Sequence, residues 1–199
     1  MFRADDYRLK AKALEGTLEE TKQALDIDVL RGKLTELKAE QEKPEVWQDI
    51  ERSAKLGREI SVVEGKIGAY DKGKKALELL DSGLDLVYVH VEAPDESGHA
   101  GDVECKVEAI ENIDRHILGY LMDNLKARGE DFAVMLLPDH PTPIEIRTHS
   151  SDPVAFVLYD SRRKRAPSAP SYCEAEAEKT GLFIEKGHTL MKKFISLDF

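Results

Sequence analysis

A helical segment joined to an α/β part is the fold class the sequence predicts: an N-terminal helical hairpin or coiled-coil segment, then a partial α/β sheet. Three observations carry this. Leucines recur at three-and-four spacing among charged residues up to about Leu80. All six histidines and seven of the eight prolines lie after Gly83. Beyond that glycine the apolar pattern alternates between strand and helix.

In the first part, Leu14, Leu18, Thr21 and Leu25 mark one helical stripe, and Leu30, Leu34 and Leu37 a second. Ile60, Val63, Ile67, Tyr70 and Leu77 mark a third. Asp26-Ile27-Asp28 starts the second helix, Pro44 interrupts it, and Asp49 caps a run from Ile50 to Leu80. Gly57, Gly65, Gly68 and Gly73 weaken that last helix. No catalytic spacing occurs here, so a packed or partner-binding hairpin with a solvated charged face is expected over residues 1–83.

In the second part, residues 84–199, Asp85 to Val91 predicts a buried strand and Asp102 to Arg128 an amphipathic helix. Asp102 caps that helix, Gly129 ends it, and Val103, Val107, Ile110, Ile113, Ile117, Leu121 and Leu125 share its apolar face. Phe132 to Leu137 predicts a second strand, completing a βαβ unit, and Val154 to Tyr159 a third. Ligands of such sheets gather beyond the carboxyl ends of the strands.

Those ends carry acids and imidazoles: Asp95 and His99 after the first strand, Asp139-His140 after the second, and His149 in the loop before the third. Taken singly, a pair such as Asp95-x-x-x-His99 is more often structural or solvated than metal-binding, and Asp139-His140 between prolines reads equally as a rigid turn. Together they favour one shared site. Oxygen and nitrogen donors without thiolate suit manganese, zinc or magnesium, and paired cations suit a phosphate dianion. His90 in a strand and His116 on a helix read as scaffold histidines, Lys106 as a surface charge, and Gly187-His188 stays open.

Composition narrows the function classes. With 29 basic and 39 acidic residues the net charge is -10, which disfavours nucleic-acid coating and direct DNA binding. The first 83 residues hold 16 basic and 18 acidic side chains, so the acid excess sits mainly in the second part. No apolar run reaches the roughly 18 residues of a membrane span, and the acidic start Met1 to Asp6 lacks a signal-peptide pattern. A cytoplasmic protein without membrane contact is expected. Cys105 and Cys173 fall in no metal or redox spacing.

Two resemblances add to this. Leu25 to Leu37, Lys43-Pro44-Glu45-Val46-Trp47-Gln48-Asp49 and Glu51 to Glu59 resemble the N-terminal helical domain of the bacterial peptide chain release factor that reads UGA. That resemblance implies a ribosome contact through the helical segment. It implies no termination activity, since no Gly-Gly-Gln occurs in the chain.

Val89-His90-Val91-Glu92-Ala93-Pro94-Asp95-Glu96-Ser97-Gly98-His99-Ala100-Gly101-Asp102, Leu136 to Ile144, Arg147-Thr148-His149 with Asp152-Pro153-Val154, and Lys186 to Met191 form the second set. These resemble the C-terminal part of the archaeal-type cofactor-independent phosphoglycerate mutase, of the alkaline phosphatase superfamily. The likeness runs from about Leu84 to Ile195.

It implies an alkaline-phosphatase-like sheet, with Asp95, His99 and His149 holding one divalent metal, manganese first. Asp139 and His140 would be two ligands of another. The implied reaction is the glycolytic isomerisation of 3-phosphoglycerate to 2-phosphoglycerate through phosphoserine. In that family the nucleophilic serine, the aspartate completing the second metal site and a substrate-holding inserted domain precede this stretch. Ser97, Ser150 and Ser151 do not match the nucleophile position. An incomplete mutase that binds metal and a phosphoglycerate-type molecule is therefore expected, with negligible turnover. The alternatives are a non-enzymatic ribosome-binding helical module and a chimera of two reading frames without selected function. Sheet edges left uncovered would favour self-association.

Overall fold

The computed structural model describes residues 26–163 and 166–196. The stripe at Leu14 to Leu25 lies outside them. The chain divides into two compact units at Gly129/Glu130.

In the first unit, α1 (26–41) and α3 (Ile50–Asp81) form an antiparallel hairpin. Ile27 packs with Tyr70 and Leu77, while Leu34 and Leu37 pack with Leu56 and Ile60 at the other end. Salt bridges from Lys33 to Glu59 (2.8 Å), Lys38 to Glu64 (2.6 Å) and Arg31 to Asp71 (2.6 Å) flank the seam. All are solvent-exposed, so apolar burial holds the hairpin and the charges set its register. Pro44 stands at the first turn of a short helix, α2 (Pro44–Gln48), where its missing N–H costs nothing. Val46 on α2 is fully buried against Leu56 and Ile60, so the interruption is itself packed.

Asp49 caps α3 by accepting a hydrogen bond from Arg52 N at 3.0 Å. The helix ends at Asp81, and Gly83 follows with φ +95, a conformation only glycine adopts without strain. The midsection glycines do not break α3. Gly73 lets the next helix approach closely, since a Cβ there would lie 2.7 Å from the His116 carbonyl oxygen.

The expected strand at Asp85 to Val91 is not formed. The segment is extended but unpaired, with Leu86 half exposed and Tyr88 73% exposed. Its apolar run signals a central strand, yet no neighbouring strand among the described residues takes up its backbone groups. The loop expected to follow is instead a helix, α4 (Ala93–Ala100). Pro94 in its first turn, Asp95 and Glu96 at its N-terminus, and Gly101 in the left-handed conformation after it supply start and stop signals.

Asp102 caps α5 (Val103–Asn112) through a bond from Cys105 N at 3.0 Å. A π-helical stretch, Ile113–Gly119, continues it into α6 (Tyr120–Arg128), which Gly129 ends at φ +71. The expected helix is thus present, but half its apolar stripe is not buried. Val103, Val107 and Ile110 are exposed, while Ala109, Asn112, Ile117 and Tyr120 face the core. The wider π turn shifts the phase, so that the stripe of a regular helix no longer stays on one side. Tyr120 is only 2% exposed and meets Tyr70 edge-on, with ring centroids 5.5 Å apart.

The second unit is sparser. β1 (Ala133–Leu136) and β2 (Val157–Asp160) pair antiparallel, Ala133 opposite Asp160 and Leu136 opposite Val157. Both lie within the expected second and third strands or one residue beyond. Their antiparallel pairing, with no partner strand for the first segment among the described residues, replaces the expected parallel βαβ unit. Two short helices, α7 (Glu174–Lys179) and α8 (Leu190–Ser196), complete the unit, the second preceded by a 3-10 turn at Gly187–Thr189. No described helix is long and apolar enough to cross a membrane.

Candidate metal centre

The first group of candidate ligands is set by helix geometry. Asp95 and His99 are four residues apart on α4 and so share a face. Asp95 Oδ2 and His99 Nε2 are 3.4 Å apart. Two ligand atoms bound at about 2.0 to 2.2 Å to one tetrahedral or octahedral ion sit roughly 3.0 to 3.5 Å from each other. The pair therefore fits chelation as it stands. Its partial exposure leaves room for an ion and for further ligands.

The second group lies in the loop between the strands of the other unit. Asp139 follows β1 closely, and its Oδ1 accepts from the backbone N–H of His140 at 3.2 Å. Its Oδ2 lies 3.5 Å from His140 Nε2. The chain then turns back on itself: Arg147 N donates to Pro143 O at 2.9 Å, and Ser150 N donates to Pro141 O at 3.1 Å. Arg147 takes φ 52, the one positive value outside glycine among the described residues, and such strain accumulates at functional sites. The fold-back sets the His149 ring against that of His140, with centroids 3.6 Å apart and planes tilted by 31°.

Two further residues of this loop support the candidate ligands. Thr142 is buried, and its Oγ1 lies 3.3 Å from His140 Nδ1, so it orients the ring as outer-shell partners of metal-bound histidines do. Ser150 donates to Asp152 Oδ2 at 2.6 Å and stiffens the segment behind His149. The spacing Asp-His-Pro-Thr-Pro contained the signal for Thr142, a hydroxyl held two residues from an imidazole by flanking prolines.

The remaining histidines separate from this chemistry. His90 lies in the unpaired segment with its side chain half exposed, Nε2 3.7 Å from Glu92, so it is not a core scaffold residue. His116 is half-buried on the π stretch, but its buried Nδ1 has no hydrogen-bond partner among the described residues, so it is not the satisfied scaffold histidine expected. Burial, reinforced by Arg115 and Lys66, pushes its pKa below the usual imidazole value. His188 is exposed in the 3-10 turn. Cys105 and Cys173 are free thiols, and burial together with the Asp102 carboxylate pushes the Cys105 thiol up, away from a reactive thiolate.

Known proteins resemble this chain over most of its length. The sequence profile of the metalloenzyme superfamily matches residues 45–196, beginning inside the helical segment. A protein of Methanothrix thermoacetophila named 2,3-bisphosphoglycerate-independent phosphoglycerate mutase is 43% identical over 145 residues. The match covers 70% of this chain and 36% of that protein. One of Methanothermobacter thermautotrophicus, named 2,3-bisphosphoglycerate-independent phosphoglycerate mutase 2, is 47% identical over 68% of this chain and 34% of its own. The solved structure of the PH0037 protein from Pyrococcus horikoshii superposes with a TM-score of 0.57 at 32% identity, covering 65% of this chain and 38% of that one. The chain spans about a third of the length of the curated relatives it matches.

Proposed function

The chain belongs to the metalloenzyme superfamily, and from that premise we propose that it is a phosphoglycerate mutase-like protein that binds a divalent metal, manganese first, and through it a phosphoglycerate. Asp95, His99 and His149 supply one carboxylate and two imidazoles to one ion. Asp139 and His140 supply part of a second set. The observation that carries the reading is the Asp95–His99 pair, two donors 3.4 Å apart on one helical face.

A divalent ion held there would offset the charge of a phosphate group and polarise its oxygens. The chain's own residues do the positioning. α4 fixes the spacing of Asp95 and His99, while Thr142 orients His140 and the fold-back loop holds His149 beside it. The names of the two curated relatives, both phosphoglycerate mutases, favour 3-phosphoglycerate as the molecule bound. No serine of the chain is assigned as nucleophile, so turnover to 2-phosphoglycerate by the chain alone is expected at background level.

The test is equilibrium binding of 3-phosphoglycerate to the full chain with and without Mn²⁺, alongside an assay for 2-phosphoglycerate. The expected result is binding that requires the ion and no measurable conversion. Binding of equal strength without any divalent ion would contradict the reading. Rapid conversion by the pure chain would overturn its view of the nucleophile.

A further inference from the structure

In the first unit, a cavity of ≈ 300 Å³ opens between α3, α4 and α5. That is the lower end of the range for small-molecule sites, about 300 to 1,000 Å³. Its α4 wall is formed by Ala93, Glu96 and Ser97, and thus not by the proposed metal ligands Asp95 and His99. The floor is unusual in carrying a primary amide. Asn112 is 6% exposed, and its Nδ2 points at Gly65, 3.5 Å from where a Cβ on that glycine would stand. Gly65 and Gly68 both line the cavity, so the space exists because α3 has no side chains there.

The polar lining is rich in acceptors. Lys72 directs its ammonium to the His90 carbonyl at 2.7 Å, and Ser97 donates to the Ala93 carbonyl at 2.7 Å. Ser97 is thereby engaged as a donor with its lone pairs available, whereas the Lys72 ammonium keeps two further N–H donors and a positive charge that the Glu92 and Glu96 carboxylates outnumber. Glu108 is 3.0 Å from Lys66, whereas Glu96 and Glu92 add carboxylates with no lysine or arginine paired to them among the described residues. Val62, Ala69, Ala109 and Ile113 supply apolar walls. Such a cavity selects a molecule with several N–H donors and a short apolar body.

We propose that this cavity is a binding site for a small organic cation, a primary ammonium or guanidinium on a short alkyl chain. The charged end lies against Glu96, the Asn112 amide accepts a hydrogen bond from it, and the alkyl body fills the space over Gly65 and Gly68. The site is independent of the metal ligands.

The probe is agmatine, titrated calorimetrically into the full chain at 0.15 M salt with EDTA present, so that metal binding has no part in the result. The expected outcome is saturable one-to-one binding that weakens at least tenfold in Glu96→Gln and in Gly65→Leu, which fills the cavity. Glu145→Gln, in the other unit, leaves it unchanged. Glu96 is exposed, so Glu96→Gln reads binding even where Gly65→Leu disturbs folding. Absence of saturable binding, or equal binding by both cavity variants, overturns the proposal. Equal binding would mark a general attraction of cations to a chain of net charge -10.

Discussion

The two units are held by different forces. The first buries a chain of large side chains, from Ile27 and Val46 through Ile60, Tyr70 and Leu77 to Tyr120, in contiguous clusters. In the second, Ala155 and Leu190 are the buried apolar residues among those described. Order there comes from local bonds instead. The β1–β2 ladder is flanked by the Phe132–Tyr159 contact at 5.4 Å, and Tyr172 donates to the Ala155 carbonyl at 3.0 Å. Arg162 grips Asp160 with two bonds of 2.9 Å, which holds that carboxyl down at about 2. The lesson concerns the imidazoles: His140 and His149 stand on the frame with little apolar core, where a bound ion has the most to add to order.

That contrast can be broken most sharply at Tyr120. Truncation to Ala should cost about 3–5 kcal/mol, as for other large buried aromatics, seen as loss of the first unit's cooperative melting. Phe132→Ala in the second unit should cost only about 1 kcal/mol, the scale of a partly exposed aromatic pair. Equal losses would mean that the second unit has a core of its own.

A smaller effect is expected at Gly73→Ala. The added methyl meets the His116 backbone, and overpacking of this kind costs about 1–3 kcal/mol. Chemical denaturation would read it, and an unchanged midpoint would show that α3 and the π stretch can move apart. Asp49→Ala removes the α3 cap and should cost about 1 kcal/mol, with Asp49→Asn restoring most of it.

The smallest effect sharpens the comparison by pH. His116 has its folded pKa below its unfolded value, chiefly through burial. Its neutral form is therefore the one the fold prefers, and its contribution is present above the unfolded pKa and lost as pH falls through and below it. Stability of the first unit should decline from pH 7.5 to 5.5, and His116→Gln should flatten that decline. An unaltered slope in the variant would assign the pH dependence elsewhere.

Much of the helical part was legible because local chemistry and burial agree there. The stripes through Leu30, Ile60 and Tyr70 and the caps at Asp49, Asp102 and Gly129 are readable from residue type and spacing alone. The segment Asp85 to Val91 was not, since its pattern announces a strand but pairing depends on neighbours the segment does not encode. α4 was hidden by Pro94, Ser97 and Gly98, residues of poor helix propensity, and is rescued by its end signals. The π turn carries no residue signature, so the burial phase of α5 could not be foreseen. The candidate ligands were visible as motifs. What spacing did not disclose is that Asp95 and His99 are helical neighbours and that His140 and His149 stack.

The central proposal is that Asp95, His99 and His149 hold one divalent ion. Calorimetric titration of Mn²⁺ into the metal-free chain tests it most directly. The account predicts a saturable site in the parent chain that is lost in His99→Ala and equally in His149→Ala. A parent chain that takes up no ion, or variants that bind it as the parent does, would contradict it.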